Sequence, residues 1–122
     1  MQSENIKRIL YVDDDKDMLL LIKAVLEQDS SLEVNTYTSP IHALADIRAK
    51  TPDLIILDYQ IPEMNGTQIM ARIHDMNLDV PIIFFTAQSA PEELVKIQSL
   101  GATKVIVKPI DITQLHEKLL LL

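Results

Sequence analysis

Four branched aliphatic residues in succession, Leu54-Ile55-Ile56-Leu57, stop at a carboxylate, Asp58. A run this short and apolar, with Pro52-Asp53 before it and a loop containing Pro62 and Gly66 after it, reads as a strand buried on both faces. Such strands belong to parallel sheets, which need helices on both sides. The rest of the chain supplies them. Runs at Arg8 to Val12, Leu32 to Thr38, Val80 to Thr86 and Lys104 to Val107 alternate with stretches whose apolar residues recur at helical spacing. The second run is the most polar and is expected near a sheet edge.

Each intervening stretch carries its own helix signals. Asp15 caps a helix bearing Met18, Leu19, Ile22, Val25 and Leu26. Ser39-Pro40 opens a second with Ile41, Leu44, Ala45 and Ile47. A third runs from the loop Tyr59 to Gly66 as far as about Met76 and buries Ile69, Met70 and Ile73. Ser89-Ala90-Pro91-Glu92 resembles a capping box for a fourth, which Gly101 closes. Asp111 and Gln114 cap the last, whose Leu115, Leu119, Leu120 and Leu122 run to the end of the chain. Right-handed crossovers restrict five such units to an α/β fold, a doubly wound five-stranded parallel sheet with five helices.

A chain of 122 residues makes one domain and buries about two thirds of its unfolded surface. Hydrophobic residues at 48% and charged residues at 24% are the balance of an ordinary globular domain, which argues against disorder. Leu19 to Leu21 is far too short to cross a bilayer, and Met1 to Lys7 is too polar for a secretory leader. The absence of cysteine excludes disulfides and thiolate metal sites and fits a cytoplasmic location. A net charge of -7 argues against direct nucleic-acid binding by this segment.

The strong strands end in chemistry. The first stops at Asp13-Asp14, the third at Asp58, the fourth at Thr86 and the fifth at Lys108. In a parallel sheet all four ends share one rim, the rim at which open α/β sheets bind ligands. Three carboxylates crowded there repel one another, and a hard divalent cation with oxygen ligands, Mg²⁺ foremost, relieves the repulsion. A carboxylate can also act as a nucleophile toward phosphorus. Phosphoryl transfer needs mainly positioning and charge neutralisation, for which Lys108 and the Thr86 hydroxyl serve beside the metal.

These residues, with the loop Pro62-Glu63-Met64-Asn65-Gly66, Thr86-Ala87 and Lys108-Pro109, give the whole chain a clear resemblance to the receiver domain of two-component response regulators, the CheY-like (β/α)5 family with its flavodoxin-like strand order 2-1-3-4-5. The resemblance implies a switch that catalyses only its own phosphorylation and dephosphorylation, with Mg²⁺ or Mn²⁺ as cofactor. Asp58 would accept a phosphoryl group from the phosphohistidine of a sensor kinase or phosphotransfer protein. Asp14 would bind the metal directly, Asp13 largely through water, and the main-chain carbonyl of Gln60 would join Asp58 in completing the protein ligands. Lys108 would pair with the phosphate, the Lys108-Pro109 bond would be cis, and Thr86 would move toward the phosphate, drawing Ala87 with it. Gln60 and Gln88 occupy positions that tune how long the phosphate persists. The face made by the fourth helix, fifth strand and fifth helix is where such domains pair or signal. The chain is then either a single-domain regulator or the N-terminal receiver of a longer one.

One position departs from that pattern. Receivers commonly carry Tyr or Phe three residues before the lysine, and this chain has Val105. A valine cannot swing between exposed and buried states as an aromatic ring does. Displacement of the backbone from Ala87 to Ala90 is expected to carry the signal instead. Asp15 is best explained as a helix cap, Lys16 and Asp17 as solvated surface, and Met18, Met64, Met70 and Met76 as packing. His42, His74 and His116 lack metal-ligand spacing and partner carboxylates and are expected on the surface. Some of the leucines from Leu119 to Leu122 should be exposed, either continuing into a further helix or forming part of a dimer face. A phosphatase of the haloacid dehalogenase type also uses a strand-end Asp with Mg²⁺ but needs a second acid where this chain has Gln60. A receiver-like module that has lost the chemistry would lack the acids, the hydroxyl and the lysine. A nucleotide binder would need a glycine-rich loop, which Gly66 and Gly101 do not make.

Overall fold

The structure, a computed structural model, describes residues 6–120. The alternation of apolar runs and amphipathic stretches folds as β1 (Arg8–Val12), α1 (Lys16–Leu26), β2 (Glu33–Tyr37), α2 (Pro40–Ala49), β3 (Leu54–Asp58), α3 (Gly66–Asp75), β4 (Ile82–Thr86), α4 (Pro91–Gln98), β5 (Lys104–Val107) and α5 (Ile112–Leu120). All neighbouring strands are parallel, in the order β2-β1-β3-β4-β5. β1, β3 and β4 lie inside the sheet and are buried at every residue, whereas the more polar β2 takes an edge.

Because successive side chains of a strand point to opposite faces, each inner strand feeds two cores at once. Ile9, Tyr11, Leu54, Ile56, Ile83 and Phe85 meet α1 and α5 through Leu19, Ile22, Leu26, Leu115 and Leu119. Leu10, Val12, Ile55, Leu57, Ile82 and Phe84 meet α2, α3 and α4 on the other side, against Leu44, Ile47, Ile69, Ile73 and Ile97. This division is why the strands read as continuous apolar runs instead of alternating with polar residues.

The helix signals hold with instructive exceptions. Asp15 caps α1, accepting from the N–H groups of Asp17 and Met18, and Ser39 caps α2. Gly101 adopts φ +101°, which suits a residue without Cβ beyond α4. Ser89 does not cap α4: the N-cap is Ala90, with no side-chain hydrogen bond, and Pro91 in the first turn needs no partner for its missing N–H. Asp111 accepts from the backbone and hydroxyl of Thr113 at the start of α5, so the cap is an Asp-to-Thr pair and not the expected Asp-to-Gln box. The reciprocal box forms at α3, between Asn65 and Gln68.

Helix α2 is turned relative to expectation. It buries Ala43, Leu44 and Ile47, while Ile41 and Ala45 are exposed. The rotation brings Asp46 to the Arg8 guanidinium and the Tyr37 hydroxyl. Among the terminal leucines, Leu119 is fully buried; Leu121, Leu122 and the side chain of Leu120 lie outside the described residues.

Candidate functional site

Strand register assembles the site. Val12 pairs with Leu57, so the residues that follow, Asp13 and Asp58, fall side by side at the carboxyl rim. Thr86 pairs with Val107, and the Lys108 N–H donates to the Thr86 carbonyl at 2.7 Å, which places the lysine at the same rim. Oxygens of Asp13, Asp14 and Asp58 all lie within 4.8 Å of one another. The Lys108 ammonium stands 3.4 Å from Asp13 Oδ2 and 3.4 Å from Asp58 Oδ2. Acids and amine from three remote segments therefore converge on one place, and Thr86 ends the neighbouring strand on the same rim.

The donors around the carboxylates are few. Asp13 is wholly buried; its Oδ1 accepts from the Asp15 N–H at 3.0 Å and its Oδ2 from the Tyr11 hydroxyl at 2.6 Å. Asp58 accepts from the Gln60 N–H at 3.2 Å. Burial, and then the negative charge of Asp13, push the Asp58 carboxyl up from its usual range to about 6, against the opposing pull of the Gln60 N–H and Lys108. A single ammonium shared at 3.4 Å does not neutralise this cluster, since charge-assisted hydrogen bonds are ordinarily about 2.7–2.9 Å. Crowded, underneutralised carboxylates with one exposed member, Asp14, are the donor set that a hard, oxygen-loving divalent cation fits.

The remaining expected residues lie on β4, β5 and the loops that follow the strands. Thr86 is completely buried, and its hydroxyl accepts from the Gln88 N–H at 3.0 Å. Gln60 and Ala87 are exposed, Gln88 is half-buried, and the Lys108-Pro109 peptide bond is cis, as the resemblance implies. Val105 is half-buried and lies opposite Phe84 in the sheet. The Tyr59 ring stacks edge-on against Phe84 and covers Gly66, where an added Cβ would come within 2.4 Å of the ring. That close approach fixes glycine at the start of α3 and seats the loop after Asp58.

Two pairings escaped the sequence reading. Tyr11 was legible only as core, although its spacing of two from Asp13 puts both on one face of β1. His116 does have a partner carboxylate, Asp29, at 3.0 Å, across 87 residues of sequence. Ser31, more than His116, holds the Asp29 carboxyl down to about 2. His42 and His74 are exposed as expected.

With fold and site in view, comparison with known proteins gives the class: the chain matches the response regulator receiver domain over residues 9–120 and belongs to that family. It is therefore a receiver domain of two-component systems. Its similarity to the transcriptional regulatory protein PrrA of Mycobacterium leprae is 32% identity over 88% of this chain and 46% of that protein. To the response regulator SaeR of Staphylococcus epidermidis it is 34% over 83% of this chain and 43% of that protein. The chain thus spans less than half the length of these relatives. Among solved structures, the chemotaxis response regulator CheY4 of Vibrio cholerae superimposes with TM-score 0.82 at 29% identity, covering 93% of this chain and 96% of that one. A CheY-like receiver domain protein from Methanospirillum hungatei JF-1 gives TM-score 0.82 at 32% identity, covering 93% and 90%. Receivers are signalling modules; a protein-glutamate methylesterase of Caulobacter vibrioides matches this chain over only 33% of its own length. Among the described residues no helix is long and apolar enough to cross a membrane.

Proposed function

We propose that Asp58 is the phosphoacceptor of this receiver and that Asp13, Asp14, Asp58 and the Gln60 carbonyl hold Mg²⁺ or Mn²⁺. The observation that carries the reading is the shared ammonium: Lys108 reaches Asp58 and Asp13 equally, at 3.4 Å each, beside a third carboxylate. A carboxylate oxygen of Asp58 attacks the phosphorus of a phosphohistidine as the P–N bond breaks and its electron pair stays on the imidazole nitrogen. The bound cation supplies neutralising charge to the phosphoryl oxygens. Lys108 pairs with one phosphoryl oxygen, and the Thr86 hydroxyl donates to another.

The donor is a histidine kinase or histidine phosphotransfer protein of the cytoplasm. An apolar hollow of about 270 Å³ beside Lys108, walled by Met18, Leu21, Pro109 and Ile110, offers it a footing. Gln60 and Gln88 set the persistence of the phosphate by flanking the attacking water. The Gln88 N–H bond to the Thr86 hydroxyl ties that side chain to the segment Ala87 to Ala90, so movement of one displaces the other, without an aromatic ring at Val105. The readout face is α4, β5 and α5, where Val95 is 69% exposed, and it pairs with a second receiver or an effector. The chain functions as the receiver of a longer regulator, in keeping with the fraction of its relatives that it spans.

Incubation with a small-molecule phosphodonor and Mg²⁺ should add one phosphoryl group by intact mass, and Asp58→Asn should abolish the addition. Uptake by the Asp58→Asn variant equal to that of the parent would refute the assignment. Structures with and without beryllofluoride should differ at Ala87 to Ala90; an unmoved loop would refute the relay.

A further inference from the structure

The Tyr11 phenol is fully buried, packs edge-on against Phe85 with ring centroids 5.5 Å apart, and aims its hydroxyl along β1 at Asp13 Oδ2, 2.6 Å away. The same oxygen is the one that Lys108 approaches at 3.4 Å. Phenol and ammonium thus share one carboxylate oxygen, and the phenol has the short bond. The ring belongs to the apolar cluster on this face of the sheet and packs edge-on with Phe85, an arrangement that does not call for a hydroxyl.

Resting on Asp58 as the phosphoacceptor, we infer that Tyr11 is a positioning residue: by occupying Asp13 Oδ2 it holds Lys108 midway between the two carboxylates and leaves the ammonium free to serve a phosphoryl group on Asp58. Without the hydroxyl, Asp13 Oδ2 has, among the described residues, Lys108 as its remaining side-chain donor within reach. The ammonium then closes on Asp13 to ordinary bonding distance and draws away from Asp58. Tyr11 acts through Lys108, and it keeps Asp13 satisfied when Lys108 turns to the phosphate.

The test is a cycle of variants: parent, Tyr11→Phe, Lys108→Met and the double variant, each titrated at equilibrium with beryllofluoride in saturating Mg²⁺. Melting temperatures in chelator show that each is folded. Loss of one buried hydrogen bond predicts about a fivefold weaker beryllofluoride affinity for Tyr11→Phe when Lys108 is present. In the Lys108→Met background the same change has no effect, because its route is gone. An equal factor in both backgrounds, which a merely structural hydroxyl would give, or no factor in either, overturns the inference. If Tyr11→Phe does not fold, the Tyr11 hydroxyl proton of the parent decides by NMR: it persists when beryllofluoride is added, and its disappearance overturns the inference. A parent that takes up no phosphoryl group at Asp58 removes the underlying reading and this inference with it. A phosphorylated parent with an indifferent Tyr11 removes this inference alone.

Discussion

The two rims of the sheet treat charge in opposite ways. At the amino rim the Arg8 guanidinium spends its donors at 2.7 Å each on Asn35 Oδ1, the Lys50 carbonyl and Asp46 Oδ2. Asp53 accepts the N–H groups of Lys7 and Arg8 at 3.0 and 2.9 Å. Arg8, Asp46 and Asp53 each have a short partner, as a buried ion pair needs if it is not to cost stability. At the carboxyl rim two of three clustered carboxylates, Asp13 and Asp58, share one ammonium at 3.4 Å, and Asp58 holds its proton up to about pH 6. The first rim is finished by folding. The second is left with an excess of negative charge that a cation and a phosphoryl group can use.

The largest contrast comes from deleting one charge at each rim. Arg8→Ala should destabilise the fold by about 3 kcal/mol, because it strands Asp46 and the Lys50 carbonyl in a part-buried setting and removes the buried Arg8 side chain itself. It should leave phosphoryl uptake intact. Asp58→Asn should do the reverse, stabilising the cation-free fold by about 1–2 kcal/mol while abolishing uptake. Chemical denaturation of both variants in chelator reads the sign; a destabilised Asp58→Asn protein would erase the distinction between the rims.

Divalent cation sharpens the same contrast. Mg²⁺ at a hundredfold excess over its dissociation constant should stabilise the parent by about 2.7 kcal/mol, and a chelator should reverse it. Asp14→Asn should lose most of that gain and Arg8→Ala none of it, as read by melting temperature with and without Mg²⁺. An undiminished gain in Asp14→Asn would remove the carboxyl rim as the binding place.

A smaller effect follows from acid. Asp58 is raised in the folded state, to about 6 from its ordinary 3.8, so between those values the folded chain binds the extra proton. Stability in chelator should therefore rise as pH falls from 7 through 6 and level off toward 4, the opposite of a salt-bridged carboxylate. Denaturant midpoints across that range test it. Saturating Mg²⁺ should flatten the rise, since proton and cation relieve the same repulsion.

The rims differ too in how far the sequence discloses them. Asp13, Asp58, Thr86 and Lys108 were legible because a buried strand's end fixes where its next residue goes, and parallel register brings the ends together. The α/β order followed from the same patterning, and the bounds of β1, β3 and β5 with it, whereas β2 is shorter at both ends than expected and β4 starts later, at Ile82. The Arg8 network was not legible, because its partners depend on how α2 is rotated. Ile41 and Ala45 fit an apolar stripe as well as Ala43 does; the choice falls to Asp46, which must meet Arg8 and Tyr37. Tyr11 hid for another reason. An aromatic residue in a buried strand is explained by packing, and only the direction of its hydroxyl says more.

Exposure, and not geometry alone, decides what a pair contributes, and Asp29 supplies the control. Its bond to His116, at 3.0 Å, is nearly as short as those of the amino rim, yet it joins α5 to the turn after α1 at the half-exposed surface. The carboxyl sits at about 2 chiefly because Ser31 donates to it, with His116 second. A depressed carboxyl contributes stability above its ordinary value that is lost as pH falls through the folded one, here below about 4 and toward 2. Ser31→Ala should therefore raise the Asp29 titration, followed by carboxyl-carbon NMR, further than His116→Gln does. Neither change should alter phosphoryl uptake, and added salt should erase the His116 part first, because screening acts on the charge pair and spares the neutral hydroxyl. The reverse order of the two variants would mean that the imidazolium, and not the serine, governs this carboxylate.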